Sequence, residues 1–154
     1  MPEKCCPDEI GIVAILVEPM WFSTSTGHAS VRTPTQLAGF HPDKKVNWRA
    51  TALYSPRGKV KNELRGDGTN KYKYDYRNSY IYRACPETYR AVDAAIDRTR
   101  ETPPPFDALN TSARNCTGIA CQWVEAGGLV APFPPDTPIL APAPAGYRGA
   151  APGR

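Results

Sequence analysis

The chain has 154 residues, 41% hydrophobic and 22% charged, the composition of an ordinary globular protein with room for one apolar core. Its formal charge of +4 is mild and the basic residues form no single block, so nucleic-acid binding is not indicated. The longest apolar stretch, Ile10–Val17, is too short to cross a bilayer, and the opening MPEKCCPDEI lacks the basic-then-apolar pattern of a signal peptide. A protein made in the cytoplasm is expected, with any work outside requiring another export route.

In chain order, residues 1–9 form a short arm. IGIVAILVE, residues 10–18, is rich in Ile and Val and ends at Pro19, the pattern of a buried strand. PMWFSTST reads as a loop. GHASVRT (27–33) and QLAGFHP (36–42) flank Thr33–Pro34–Thr35 and read as two strands of a hairpin. VNWRATALY (46–54) alternates and is a further strand candidate. Residues 55–70, polar and glycine-rich, suggest a loop or a hairpin around a short strand. In 71–83, Tyr72, Tyr74 and Tyr76 fall on one face of a strand, interleaved with Lys. Such a strand can stack nucleic acid, but an amphipathic strand with its tyrosines on the core is the preferred reading. Cys85–Pro86–Glu87 opens a helix that Pro103–Pro104–Pro105 ends, and FDALNTSAR is a loop. A last helix starts near Cys116 and stops at Gly127–Gly128, with Ile119, Ala120, Trp123 and Val124 as its apolar face. Strands followed by helices predict an α+β domain over residues 10–130, with an antiparallel sheet packed against helices. Seven of the 17 prolines lie in 131–154, which reads as an extended Pro/Ala-rich tail.

Five cysteines, an odd number without a secretion signal, argue against a complete disulfide framework. Cys5 and Cys6 look like part of a mobile terminus, with a structural role the preferred reading and their pairing left open. No CxxC pair is present and neither histidine stands near a cysteine at ligand spacing, which disfavours structural zinc. Cys116 is different. Asn115 before it is a good N-cap residue, and a helix N-terminus stabilises a thiolate through its unpaired N–H groups and dipole. Those N–H groups, at the start marked by Asn115 and Thr117, can also bind an oxyanion, and Gly118 leaves that end open. Cys121 lies about 140° around the helix from Cys116 and reads as core. Burial is the competing explanation for Cys116 as well.

A cysteine nucleophile needs a base and usually a third group to orient it. The candidates are the two histidines, His28 and His41. A hairpin centred between Pro34 and Thr35 sets them opposite each other, on the same side of the sheet. A one-residue slip would separate them.

Gly27–His28–Ala29, Gly39–Phe40–His41–Pro42 and Asn115–Cys116–Thr117 with its Gly127–Gly128 stop together resemble the circularly permuted, NlpC-type papain-like cysteine peptidases. The likeness spans residues 10–130 and rests on the order and spacing of short motifs. It implies Cys116 as nucleophile, His28 as general base, and a histidine-bearing antiparallel sheet packed on the cysteine helix, with no metal or cofactor. His41 stands where relatives often carry an aromatic residue. It is either the orienting group or a substitution at a structural position, and Gln36 is a weaker candidate for orientation.

Many members of that group cleave the peptide stems of peptidoglycan, and several are antibacterial effectors of type VI secretion, which uses no signal peptide. The resemblance therefore implies action in a target-cell periplasm, a secretion-apparatus carrier and a cognate immunity protein, while the mild, dispersed charge and the lack of a clear amphipathic membrane segment argue against nucleic-acid and membrane partners. Two other classes remain open. One is a thioester-forming acyltransferase of the same fold, like the lecithin retinol acyltransferases. The other is a binding module with a buried Cys116.

Overall fold

The computed structural model describes residues 5–18, 28–43, 56–71, 78–107 and 114–132. After a 3-10 turn at Pro7–Glu9 come strands β1 (Gly11–Glu18), β2 (His28–Arg32), β3 (Leu37–Pro42), β4 (Gly58–Asn62) and β5 (Asn78–Ala84), then helices α1 (Pro86–Glu101) and α2 (Cys116–Ala126). The five strands make one antiparallel sheet in the order β4-β3-β2-β1-β5. The α+β class expected from the sequence is therefore present in its coarse form. The candidate strand at 46–54, the tyrosines at 72–76 and most of the proline-rich tail lie outside the described residues.

Alternation along the strands sorts side chains onto two faces. Val13 and Ile15 of β1, Ala29 and Val31 of β2, Ala38 and Phe40 of β3, and Tyr80 and Tyr82 of β5 join one core cluster with Val92 and Ile96 of α1 and Ile119, Trp123 and Val124 of α2. Small residues, Ala29 and Ala38 on the strands and Ala120 on the helix, are fully buried where α2 lies against β2 and β3. The other face of β2 and β3 carries His28, Ser30, Gly39 and His41, by the register Ser30↔Gly39 and Val31↔Ala38. That register is the one the turn position predicts, and it sets His28 opposite His41.

The turn itself is fastened to α1. The backbone N–H of Thr33 donates to the carbonyl of Gln36. Asp93 accepts from Thr33 Oγ1 at 2.7 Å, Thr35 Oγ1 at 2.7 Å and Gln36 Nε2 at 2.8 Å, and Arg100 donates to Gln36 Oε1 at 3.0 Å. Helix α1 begins on Pro86, whose missing N–H costs nothing in a first turn. The two helices are joined where Trp123 Nε1 donates to Thr99 Oγ1 at 2.9 Å. They also approach at Gly127, where a Cβ would lie 2.6 Å from Val92 Cγ2. Gly128, at φ 79°, then turns the chain away from α2 in a conformation that glycine adopts without strain.

The N-terminal arm corrects the sequence reading. Cys5 is disulfide-bonded to Cys85, the N-cap residue of α1, so it is tied down and not part of a free terminus. Cys6, Cys116 and Cys121 carry free thiols.

Candidate active site

Asn115 is the N-cap of α2: its side-chain oxygen accepts from the Gly118 N–H at 2.9 Å, and the residue is fully buried. This cap fixes where the helix begins and leaves Cys116 as its first residue. The N–H groups of Cys116 and Thr117 belong to the first turn, which no intrahelical carbonyl serves. The Thr117 hydroxyl lies 4.0 Å from Cys116 Sγ. The Cys116 side chain is almost wholly buried and close enough to the His28 imidazole to help raise its pKa.

His28 is the first residue of β2, at the end of the sheet, and is itself buried. Its Nε2 lies 2.7 Å from Oε1 of Glu63. His41 Nε2 lies 2.8 Å from the same oxygen, and the two imidazole centres are 4.6 Å apart. Ser30 donates to the other carboxylate oxygen at 2.5 Å. Glu63 follows β4, has no exposed surface, and its backbone N–H donates to the Leu37 carbonyl, which holds it beside β3. Its carboxylate crosses Gly39. A Cβ at that position would overlap Glu63 Oε1 and stand 2.7 Å from His28 Nε2, so glycine is what lets the acid and the base meet.

Burial alone would raise the pKa of Glu63, but hydrogen bonds from His28, His41 and Ser30 outweigh it and bring the value down to about 2. The ionised carboxylate only accepts, so both Nε2 atoms carry hydrogen and each Nδ1 is the titrating nitrogen. Burial opposes charge on His28, but hydrogen bonds to Cys116 and Glu63 prevail and push its pKa up to about 9. His41 moves the other way: burial lowers its pKa, and the neighbouring His28 charge adds to the effect despite the Glu63 hydrogen bond. The Glu63 carboxylate thus accepts from both rings, and Cys116 together with Glu63 favours charge on His28 over charge on His41.

The sequence-derived residues Cys116, His28, His41, Asn115 and Thr117 come together at this end of the sheet. Gln36 does not. It sits at the opposite end of the hairpin, bonded to Asp93 and Arg100. Cys121 is fully buried, and burial followed by the Glu125 charge pushes its thiol pKa up to about 12, which suits a core residue. The residue that the sequence reading missed is Glu63. In KVKNELRG it looks like one more charge in a polar loop, and only its place beside β3 distinguishes it.

Among the described residues, His28, His41 and Glu63 are the cluster that a metal ion could use, with candidate ligand atoms within 4.8 Å of one another. Ligands 2.0–2.1 Å from a tetrahedral zinc stand about 3.3 Å apart. The 2.7 and 2.8 Å N–O separations here are those of hydrogen bonds, and the cluster is better described as sharing protons.

No family model matches the chain, and comparisons with curated proteins and with solved structures return no match.

Proposed function

We propose that the chain is a cysteine hydrolase with a permuted papain-like arrangement, in which the hairpin bearing the histidines precedes the helix bearing the nucleophile. The single observation that carries this reading is the His28–Glu63 hydrogen bond at 2.7 Å, beside a buried Cys116 at the start of α2 that lies near enough to His28 to influence its pKa. It joins a nucleophile, a base and a group that orients the base, the three parts that covalent acyl transfer needs.

In this scheme the proton of the Cys116 thiol rests on His28 Nδ1, and the sulfur attacks an amide carbonyl. The N–H groups at the start of α2 receive the oxyanion. His28 then gives its proton to the leaving amine, and water, deprotonated by His28, hydrolyses the thioester. Glu63 fixes the His28 tautomer and stabilises the imidazolium throughout. His41 occupies the second lobe of the same carboxylate oxygen and packs beside the His28 ring, restricting both. No step calls on a metal.

The substrate class comes from the motif resemblance. We assign amide bonds in peptidoglycan peptide stems, cleaved by an exported antibacterial effector with a cognate immunity protein. The deciding experiment is digestion of purified sacculi by the wild type and by Cys116→Ala, with mass spectrometry of the released muropeptides. New stem fragments from the wild type alone would support the assignment and their masses would name the bond. Intact stems in the presence of folded wild-type protein would overturn the peptidoglycan assignment.

A further inference from the structure

We infer that the Cys5–Cys85 disulfide is a redox latch on the hairpin that carries the candidate site, so that the chain completes its working fold only in an oxidising compartment. The inference goes beyond the hydrolase reading and does not rest on it.

The bond joins residues 80 positions apart and lies just past Gly11↔Ala84, the last rung of the β1–β5 ladder. Among the described strands β5 pairs with β1 alone, so this cross-link secures its end. On the other side of the bond, Cys85 is the N-cap of α1, the helix whose Asp93 and Arg100 hold the β2–β3 turn. At Gly11 these parts converge. A Cβ there would lie 2.7 Å from Pro34 Cγ of the turn and 2.9 Å from the Tyr89 ring of α1. The start of β1, the turn and the first helical turn of α1 are therefore packed together beside the disulfide. His28 and His41 stand at the far end of the same hairpin, where their meeting over Gly39 depends on register.

The bond spares Cys116, which keeps its thiol, so oxidation does not consume the candidate nucleophile. Formation balances as thiol–disulfide exchange with an oxidised dithiol carrier of the kind that oxidising compartments maintain. The Cys5 thiolate attacks one carrier sulfur and releases the other as a thiol. The Cys85 thiolate then attacks the Cys5 sulfur and releases the second carrier thiol. The chain loses two electrons and two protons, and the carrier gains both. Cys6, the exposed neighbour, is not required.

The test uses the full chain refolded with a glutathione redox couple. Alkylation of the unreduced, denatured protein should add three groups, for Cys6, Cys116 and Cys121, and prior reduction should raise the count to all five cysteines. Reducing the folded wild type should lower Tm by on the order of 10 °C, as expected when a long loop is opened. It should also speed hydrogen exchange at the backbone amides of β2 and β3 more than at those of α2. Cys6→Ser should match the wild type, and Cys5→Ser should match the reduced protein. If Cys5→Ser does not fold, reduction of the folded wild type still gives the comparison. Five free thiols after refolding, an unchanged Tm on reduction, loss of the disulfide in Cys6→Ser, or exchange that quickens everywhere except β2 and β3 would each overturn the inference.

Discussion

His28 and His41 share one oxygen of one buried carboxylate: their Nε2 atoms lie 2.7 and 2.8 Å from Oε1 of Glu63, with ring centres 4.6 Å apart. Because the carboxylate only accepts, this arrangement assigns the tautomer of both rings and leaves Nδ1 as the titrating nitrogen of His28.

Glu63→Gln keeps the shape and removes the charge. The amide nitrogen competes with the two imidazole donors, and His28 loses the group that holds its imidazolium. We expect turnover to fall on the order of 10²–10⁴-fold, with the wrong tautomer of His28 as the cause. A Glu63→Gln protein with wild-type turnover would remove Glu63 from the mechanism.

Stability should be greatest near pH 6.5. His28, raised to about 9, contributes fully below its ordinary value of 6.5 and loses that contribution as pH rises through 9. His41, lowered from 6.5, acts oppositely and costs stability as pH falls below 6.5. Glu63, lowered from 4.5 to about 2, holds its contribution above 4.5 and loses it toward pH 2. Urea unfolding at a series of pH values checks this. His41→Asn should delay the loss on the acid side to near pH 4.5, and Glu63→Gln should flatten the alkaline side.

Gly39→Ala tests the crossing point. The methyl group meets Glu63 Oε1 and His28 Nε2, so one of them must move. Overpacking of this kind costs about 1–3 kcal/mol. We expect a lower Tm and a loss of activity larger than the stability change explains, measured well below Tm where the variant is folded. Ser30→Ala removes a donor to the same carboxylate at a cost of about 1.5–3 kcal/mol, with a smaller loss of activity.

The cysteines of α2 should separate cleanly. Cys116→Ala and His28→Ala should each abolish cleavage. Cys121→Ser places a hydroxyl in a fully buried apolar site and should lower stability by about 1–3 kcal/mol while keeping most activity in the folded fraction. Parallel melting curves and single-turnover rates distinguish the two effects. Equal loss of activity in all three would assign Cys116 a packing role.

What the sequence determined by itself was local. The apolar run Ile10–Val17 made β1, Pro86 and Pro103 bracketed α1, and Asn115 with Gly127 bracketed α2, because caps and hydrophobic periodicity act within a few residues. The turn at Thr33–Gln36 set the hairpin register, and with it the opposition of His28 and His41. The tertiary structure decided what lies between them. Glu63 reaches His28 across 35 residues because β4 pairs with β3 and its neighbour Gly39 has no side chain. Cys5 finds Cys85 only because β1 and β5 are adjacent, a pairing with no signature in either cysteine's surroundings. Gln36, credible in one dimension as a partner for His28, is directed to Asp93 by the fold of α1 over the turn. A buried acid and a solvated one look the same along a chain. Long-range strand pairing removes one of them from water, and the hydrogen bonds waiting there keep it ionised.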